Sequence, residues 1–193
     1  MRIPINTFWR SEPLSGDENA LLEALFKAHS EAVTRENISS VLAANAALGS
    51  GRYSNGISAA VSSIGGIHAP IEDTIDAIQF AMNGGGGARR YVVSKLSLGE
   101  KVPGWGNSFF KGEVEPGWEG VRELTAKIDA RIITAIDGVT QALHDAGKLL
   151  FPNPSAYTAA AAIIIGIPIK VSALLFITAR ISGWTQIIHQ QLK

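Results

Sequence analysis

Apolar and polar positions alternate with a helical period almost from end to end of the chain. Ser15-Gly-Asp-Glu18 has the spacing of a capping box, and Leu21, Leu22, Leu25 and Phe26 follow as an apolar stripe. Thr34-Arg-Glu-Asn37 can open a second helix with Ile38, Val41, Leu42 and Ala46 facing inward. A third covers Asn55–Ile64, where Ser58, Ala59, Ala60, Ser62 and Ser63 permit close helix approach. Pro70 suits the first turn of a fourth, which buries Ile71, Ile75, Ile78 and Met82 and turns Glu72, Asp73, Asp76 and Gln79 to other sides. Asn83 and four glycines end it. A short helix near Ala88–Leu98 leads to a Pro- and Gly-rich loop from Gly99 to Asn107. A long amphipathic region then runs from about Trp118 to Gly147, carrying Val121, Leu124, Ile128, Ile132, Ile136 and Leu143. The turn Phe151–Ser155 starts an apolar helix, Ala156–Ile165; Gly166-Ile-Pro168 breaks it, and a final helix reaches about Gln191. No strand-like alternation of useful length occurs, so the expected class is all-α.

Composition narrows the function classes. With 193 residues, 46% of them apolar, the chain can build one sizeable core or two small ones, and wholesale disorder is excluded. Seventeen basic and 17 acidic side chains cancel, so the bulk field gathers no nucleic acid. The lack of cysteine rules out disulfides, thiolate metal sites and a cysteine nucleophile. His29, His68, His144 and His189 show no ligand spacing, and no metal site is expected. Met1–Arg10 has no apolar run of signal-peptide length. Ala156–Ala179 is apolar enough to suggest a membrane span, but Pro168 costs a continuous helix about 3 kcal/mol, so two shorter buried helices are expected instead. The glycine run fits no phosphate-loop spacing. It is either a flexible helix end or, with Arg89 and Arg90, an anion contact.

Three segments carry more specific chemistry. They are Gly65-Gly-Ile-His-Ala-Pro-Ile-Glu-Asp73, Lys101-Val-Pro-Gly-Trp-Gly-Asn-Ser-Phe-Phe-Lys111 and Pro152-Asn-Pro-Ser-Ala-Tyr157. The last is followed by Gly166-Ile-Pro168 and Ala179-Arg-Ile-Ser-Gly-Trp184. In order and spacing this set resembles the active-site half of the citrate synthase family, whose motifs read Gly-Pro-Leu-His-Gly-Gly-Ala-Asn-Glu, Lys-Val-Pro-Gly-Phe-Gly-His and Pro-Asn-Val-Asp-Phe-Tyr. The likeness covers about Leu21 to Gln191. The family's long N-terminal part and its C-terminal extension find no counterpart.

The resemblance implies a reaction that joins an acyl-CoA carbon to a 2-oxo acid, or its reverse in citryl-CoA lyases. Such chemistry needs a carboxylate to take a carbon-bound proton, a histidine to stabilise the enol oxygen and a second histidine to polarise the carbonyl. It also needs arginines for the substrate carboxylates. By resemblance His68 is the enol-stabilising histidine. Asn107 stands at the second histidine, and its amide can donate a hydrogen bond but not shuttle a proton. Ser155 stands at the base carboxylate, and loss of a general base typically costs about 10²–10⁴-fold in rate.

Arg180 matches a substrate-binding arginine. Glu115-Pro-Gly117 replaces the family's Asp-Pro-Arg and loses its arginine. Of the family's upstream histidine pair, His29 fits the first and Ala32 falls at the second. Val102, Pro103, Gly104, Trp105 and Gly106 form the loop in which the family holds CoA. Trp105 either stacks on an adenine or plugs the seam between domains. Arg180, amid apolar residues, needs a partner, either a bound anion or an acid such as Asp73. Glu72, one turn after His68, either pairs with it and raises its pKa or serves as a displaced base.

The expectation is an all-α, citrate-synthase-like subunit. Its large-domain portion is 1–71 plus 155–193, its small domain is 72–154, and the site lies in the cleft between them. The family's dimer implies a homodimer, alone or within a larger assembly, stacked through Asn55–Ile64 and Ala159–Ala162. No nucleic acid, membrane or permanently bound cofactor is expected; a coenzyme A thioester is the candidate substrate. The expected location is cytoplasmic or particle-associated. Two readings of function remain open. One is a degenerate structural or assembly module that has lost the chemistry; the other is a condensing enzyme or lyase with altered residues.

Overall fold

Ser15 and Glu18 close their capping box: the Glu18 N–H donates to Ser15 Oγ at 3.2 Å and the Ser15 N–H to Glu18 Oε2 at 2.6 Å. They open α1 (Gly16–Glu31) in a computed structural model that describes residues 12–34, 36–65 and 68–193. The reading of Met1–Arg10 lies outside the described residues, as do Arg35 and, within the first motif, Gly66 and Ile67. Then come α2 (Ile38–Ser50), α3 (Tyr53–Ser62), α4 (Ile71–Met82) and α5 (Gly87–Ser97). These are followed by α6 (Glu119–Ile128), α7 (Ala130–Asp145), α8 (Pro154–Ile165), a 3₁₀ turn (Ile169–Val171) and α9 (Ala173–Gln191). The described residues contain no strand, and the class is all-α, as expected.

The central element is α8, which packs against α1, α4, α6 and α9. It is apolar on every side, so it needs cover all round, and Ala159–Ala162 are wholly buried within the chain. These alanines are therefore spent inside the subunit and do not form the stacking surface expected of them. Around α8, the buried side chains of Leu21, Leu25, Ile75, Ile78, Ile132, Ile136 and Leu143 form the main core, each worth about 1.5–3 kcal/mol when fully buried. This core draws residues from both sides of the expected boundaries at 71 and 155. A second, smaller core joins α2, α3 and the end of α9 through Ala43, Ala47, Ala60, Trp184 and Ile188. Because α9 contributes Leu175 and Phe176 to the first core and Trp184 and Ile188 to the second, Arg180 sits where the two meet.

The pattern mispredicts two places. In α2 the buried residues are Ser39, Ser40, Ala43 and Ala47, while Ile38 is 60%, Val41 40% and Leu42 41% exposed. The close approach of α3 decides this: a Cβ added at Gly56 would stand 2.7 Å from the Ala43 carbonyl oxygen and 3.0 Å from Ala47 Cβ. Only a small-residue face fits so near a neighbour. The helix also starts later than expected, after Asn37. The region 118–147 is two helices, because Asp129 (φ −146°, ψ 94°) ends α6 and caps α7 by accepting the Arg131 N–H at 3.0 Å.

The glycine run is a tight α4–α5 connection in which Gly84, Gly85 and Gly86 all have positive φ. Arg90 donates to the Gly85 carbonyl and so serves the loop itself. Gly166, also left-handed, ends α8 where the break is expected. The following stretch Ile169–Gln191 is long and apolar enough to cross a membrane by length and composition. Its α9 helix packs against α1, α2 and α3 in the protein.

Candidate functional site

The second and third motifs are laced together backbone to backbone. Gly106 N–H donates to Phe151 O at 2.8 Å, Asn153 N–H donates to Gly104 O at 2.9 Å, and Trp105 bridges Pro152. The Asn153 side chain completes the junction: its Nδ2 donates to Gly106 O at 2.9 Å, and its Oδ1 caps α8 by accepting the Ser155 N–H at 2.9 Å. Gly104 is required twice over. Its φ is +87°, and a Cβ there would lie 2.4 Å from Thr74 Cγ2. Of the loop residues, Val102, Gly104 and Trp105 are buried, while Pro103 and Gly106 are half-buried. The Trp105 indole donates to Thr140 Oγ1 at 2.8 Å, so it fills the seam against α7 rather than lying open for stacking.

His29, at the end of α1, is wholly buried. Its ring meets Trp118 edge-on at 4.9 Å and Phe176 at 4.7 Å, and Trp118 stacks on Tyr157 at 5.3 Å. Nε2 contacts Thr158 Oγ1 at 2.7 Å, whereas Nδ1 is buried without a hydrogen-bond partner among the described residues. His68 is fixed by a two-way backbone bridge to Gly65 (2.7 and 3.1 Å), and its Nε2 is also buried and unpartnered. Burial, and after it the positive charge of Arg180, lowers the pKa of both imidazoles, that of His29 well below the ordinary 6.5.

Arg180 is 5% exposed and makes no ion pair among the described residues; its Nε has no partner, and its guanidinium carbon lies 5.2 Å over the Phe176 ring. Burial brings its pKa down to about 10, and the charge of Glu115 opposes that shift. The two acids offered as partners by the sequence are not the ones found. The opposing acid is Glu115, not Asp73, and Glu72 is exposed and forms no pair with His68, whose pKa falls rather than rises.

Asn107 is half-buried and turned onto its own loop. Nδ2 donates to Glu115 Oε2 at 2.6 Å, and Oδ1 accepts the Phe109 N–H at 2.9 Å. Both residues line a cavity of about 160 Å³ with Phe110, Lys111, Leu150 and Phe151. Ser155 is 4% exposed in the first turn of α8, and its hydroxyl makes no hydrogen bond among the described residues. The arrangement therefore leaves a buried Arg180 Nε–H donor and two buried imidazole nitrogens without hydrogen-bond partners among the described residues. No carboxylate occupies position 155. No cluster of three or more metal-ligating side chains occurs among the described residues.

The family model described as citrate synthase, C-terminal domain, matches residues 7–193. The chain belongs to the citrate synthase family. It is 27% identical over 143 residues to 2-methylcitrate synthase of Shewanella oneidensis, an alignment covering 69% of this chain and 38% of that protein. The fold is similar to that of citryl-CoA lyase from Hydrogenobacter thermophilus (TM-score 0.82, 21% identity, 98% of this chain and 75% of that one). It is also similar to citrate synthase from Thermotoga maritima (0.78, 19%, 91% and 50%). A third likeness is to Thermoplasma acidophilum citrate synthase in its ternary complex with carboxymethyl coenzyme A and oxaloacetate (0.74, 15%, 92% and 49%). The chain thus spans well under half of its curated relative.

Within this citrate synthase fold, motif reading alone overlooks Thr158, Trp118, Phe176 and the acidic role of Glu115. Thr158 lies in the same α8 turn as Ser155, so the helical period places it near the motif. Trp118 and Phe176 read only as core aromatics, because nothing local marks a ring that meets a histidine across the fold.

Proposed function

We propose that this chain is a degenerate citrate-synthase-like module that keeps a carboxylate-receiving pocket but lacks the base for carbon acid chemistry, and that it serves a structural or assembly role. The observation that carries this reading is Ser155. It is buried at the head of α8, at the position that the motif resemblance aligns with the family's base carboxylate, while the buried acid Glu115 is held by Asn107. A serine hydroxyl has no useful basicity near neutral pH. The nitrogens of His68 and Arg180 left without a partner among the described residues support retention of anion binding, because buried polar groups left unpaired are costly. In this reading His68, Asn107 and Ser155 are the relics of the reacting set. Arg180 faces a substrate carboxylate with His29 on the same substrate side, and the loop Val102–Gly106 is the CoA side of the cleft between portions 1–71 plus 155–193 and 72–154.

A homodimer belongs to the same reading. Ile38, Val41, Leu42 and Leu48 form an exposed apolar stripe on α2 that none of the described residues covers. The Thermoplasma complex supports coenzyme A thioester as the substrate to try.

The alternative is an active condensing enzyme or citryl-CoA lyase, and it is favoured by the unspent Nε2 of His68 and Nε of Arg180. Release of free CoA from acetyl-CoA with a panel of 2-oxo acids separates the two. The proposal expects none above background; turnover that His68→Ala abolishes would replace it with the enzyme. The assembly role is abandoned if the protein purifies only as free dimers.

A further inference from the structure

Thr158 makes a contact that sets the hydrogen-bond character of His29. It is wholly buried on α8, and its Oγ1 lies 2.9 Å from Pro154 O and 2.7 Å from His29 Nε2. Two oxygens at that separation need a proton between them, since lone pair against lone pair is repulsive. The hydroxyl has one proton, and the geometry directs it to Pro154 O. The proton between Thr158 and His29 must then belong to the imidazole. Burial and the charge of Arg180 disfavour the imidazolium, so His29 is neutral, protonated on Nε2, with a bare lone pair on Nδ1. That lone pair has no partner among the described residues, and neither has the N–H of Arg180 Nε; both side chains lie against Phe176.

We propose that Thr158 is a positioning residue. By accepting the Nε2 proton it makes His29 Nδ1 a hydrogen-bond acceptor beside Arg180, and so favours, as a ligand held between the two, a 2-hydroxy acid over the corresponding 2-oxo acid. A ligand hydroxyl can accept from Arg180 and donate to Nδ1. A ligand carbonyl only accepts, and would set its lone pairs against that of Nδ1. A site built to pair with a hydroxyl rejects the analogue that cannot pair. The ligand preference rests on the carboxylate-pocket reading above; the tautomer does not.

Two measurements on the full chain test this. In ¹⁵N-labelled protein, NMR is expected to show His29 Nε2 carrying a slowly exchanging proton and Nδ1 carrying none. Thr158→Val should lose that protection at unchanged helix content, and Thr158→Ser should keep it. A proton on Nδ1 in the native chain, or protection indifferent to Thr158→Val, overturns the assignment. Calorimetry with L-malate and oxaloacetate, which differ only at C2, is expected to favour malate at least tenfold in the native chain and in Thr158→Ser, and far less in Thr158→Val. Equal or reversed affinities in the native chain overturn the preference. If neither acid binds, the carboxylate-pocket reading fails and takes the preference with it, while the tautomer is still decided by the NMR result.

Discussion

Asn107 donates its amide to Glu115 Oε2 at 2.6 Å, so the residue proposed to stand at the family's carbonyl-polarising histidine is spent on an acid of its own loop. Glu115 is 7% exposed, and Asn107 satisfies one of its oxygens as the carboxylate leaves water. Asn107→Ala would leave a buried acceptor unpaired, and the expected loss is about 1–3 kcal/mol. Urea unfolding of the two proteins measures it. A change within about 0.5 kcal/mol, typical of uninvolved surface sites, would show that the pair does not hold the loop.

The buried imidazoles make stability depend on pH in a definite direction. His29 has a folded-state pKa below the unfolded value of 6.5, and His68 shifts the same way. Between the two values the unfolded chain binds more protons than the folded one, so stability rises with pH there and is lost as pH falls below about 6.5. One such group contributes up to about 1.4 kcal/mol per pH unit. Melting curves from pH 7.5 to 5 are expected to show this decline, and His29→Gln should flatten it. An unchanged slope in that variant would assign the acid sensitivity elsewhere.

The helical class, the helix ends at Ser15, Asn153 and Gly166 and the three motifs are legible in the sequence because each is a local signal, a cap, a stop or a fixed spacing. What escapes is set by contacts between distant segments. The face of α2 follows the nearness of α3 at Gly56 rather than the size of Ile38 and Val41. In the site, the position of His68 can be read from its motif, but the Thr158 contact to His29 spans 129 residues and the acid opposing Arg180 comes from the 107–118 loop. No periodicity encodes either. Asp129 is the one miss that a local rule could have caught, since Asp is a favoured cap and its carboxylate reaches Arg131 only two residues on.

Ala69, directly after His68, has φ +56°, a left-handed conformation that its Cβ disfavours by roughly 1–2 kcal/mol. Glycine adopts it freely but gives the unfolded chain more entropy to lose, about 0.4–1 kcal/mol. Ala69→Gly is therefore expected to leave stability unchanged or raise it by up to about 1 kcal/mol. Most alanines on an ordinary backbone lose stability on this change, so a clear loss in thermal melting would argue that position 69 is not left-handed.

Gly104 is the opposite case. Its φ of +87° and the 2.4 Å distance from a built Cβ to Thr74 Cγ2 leave no room for a side chain. Gly104→Ala must shift either α4 or the loop, which Asn153 and Phe151 hold by backbone hydrogen bonds. Overpacking of this kind costs about 1–3 kcal/mol. The expected signature is a lowered melting temperature together with a weakened Trp105–Thr140 contact, seen as a red shift in tryptophan emission. A variant as stable as the native chain, with unchanged emission, would mean that the loop does not sit against Thr74.

Arg180 separates stability from ligand binding most directly. It is a buried cation without an ion pair among the described residues, and burial lowers its pKa to about 10. Replacing buried charge by an apolar side chain of similar volume is often stabilising, by about 1–4 kcal/mol even where the charge was paired. Arg180→Met is therefore expected to raise the melting temperature; each kcal/mol corresponds to roughly 2–4 °C for a chain of this size. The same substitution removes the cation placed between the two cores, so binding of a dicarboxylate should disappear. A purely structural arginine would behave differently: its loss would lower the melting temperature and leave ligand affinity unaffected. Calorimetric titration and thermal melting of this single variant thus decide whether Arg180 is kept for an anion or for the fold.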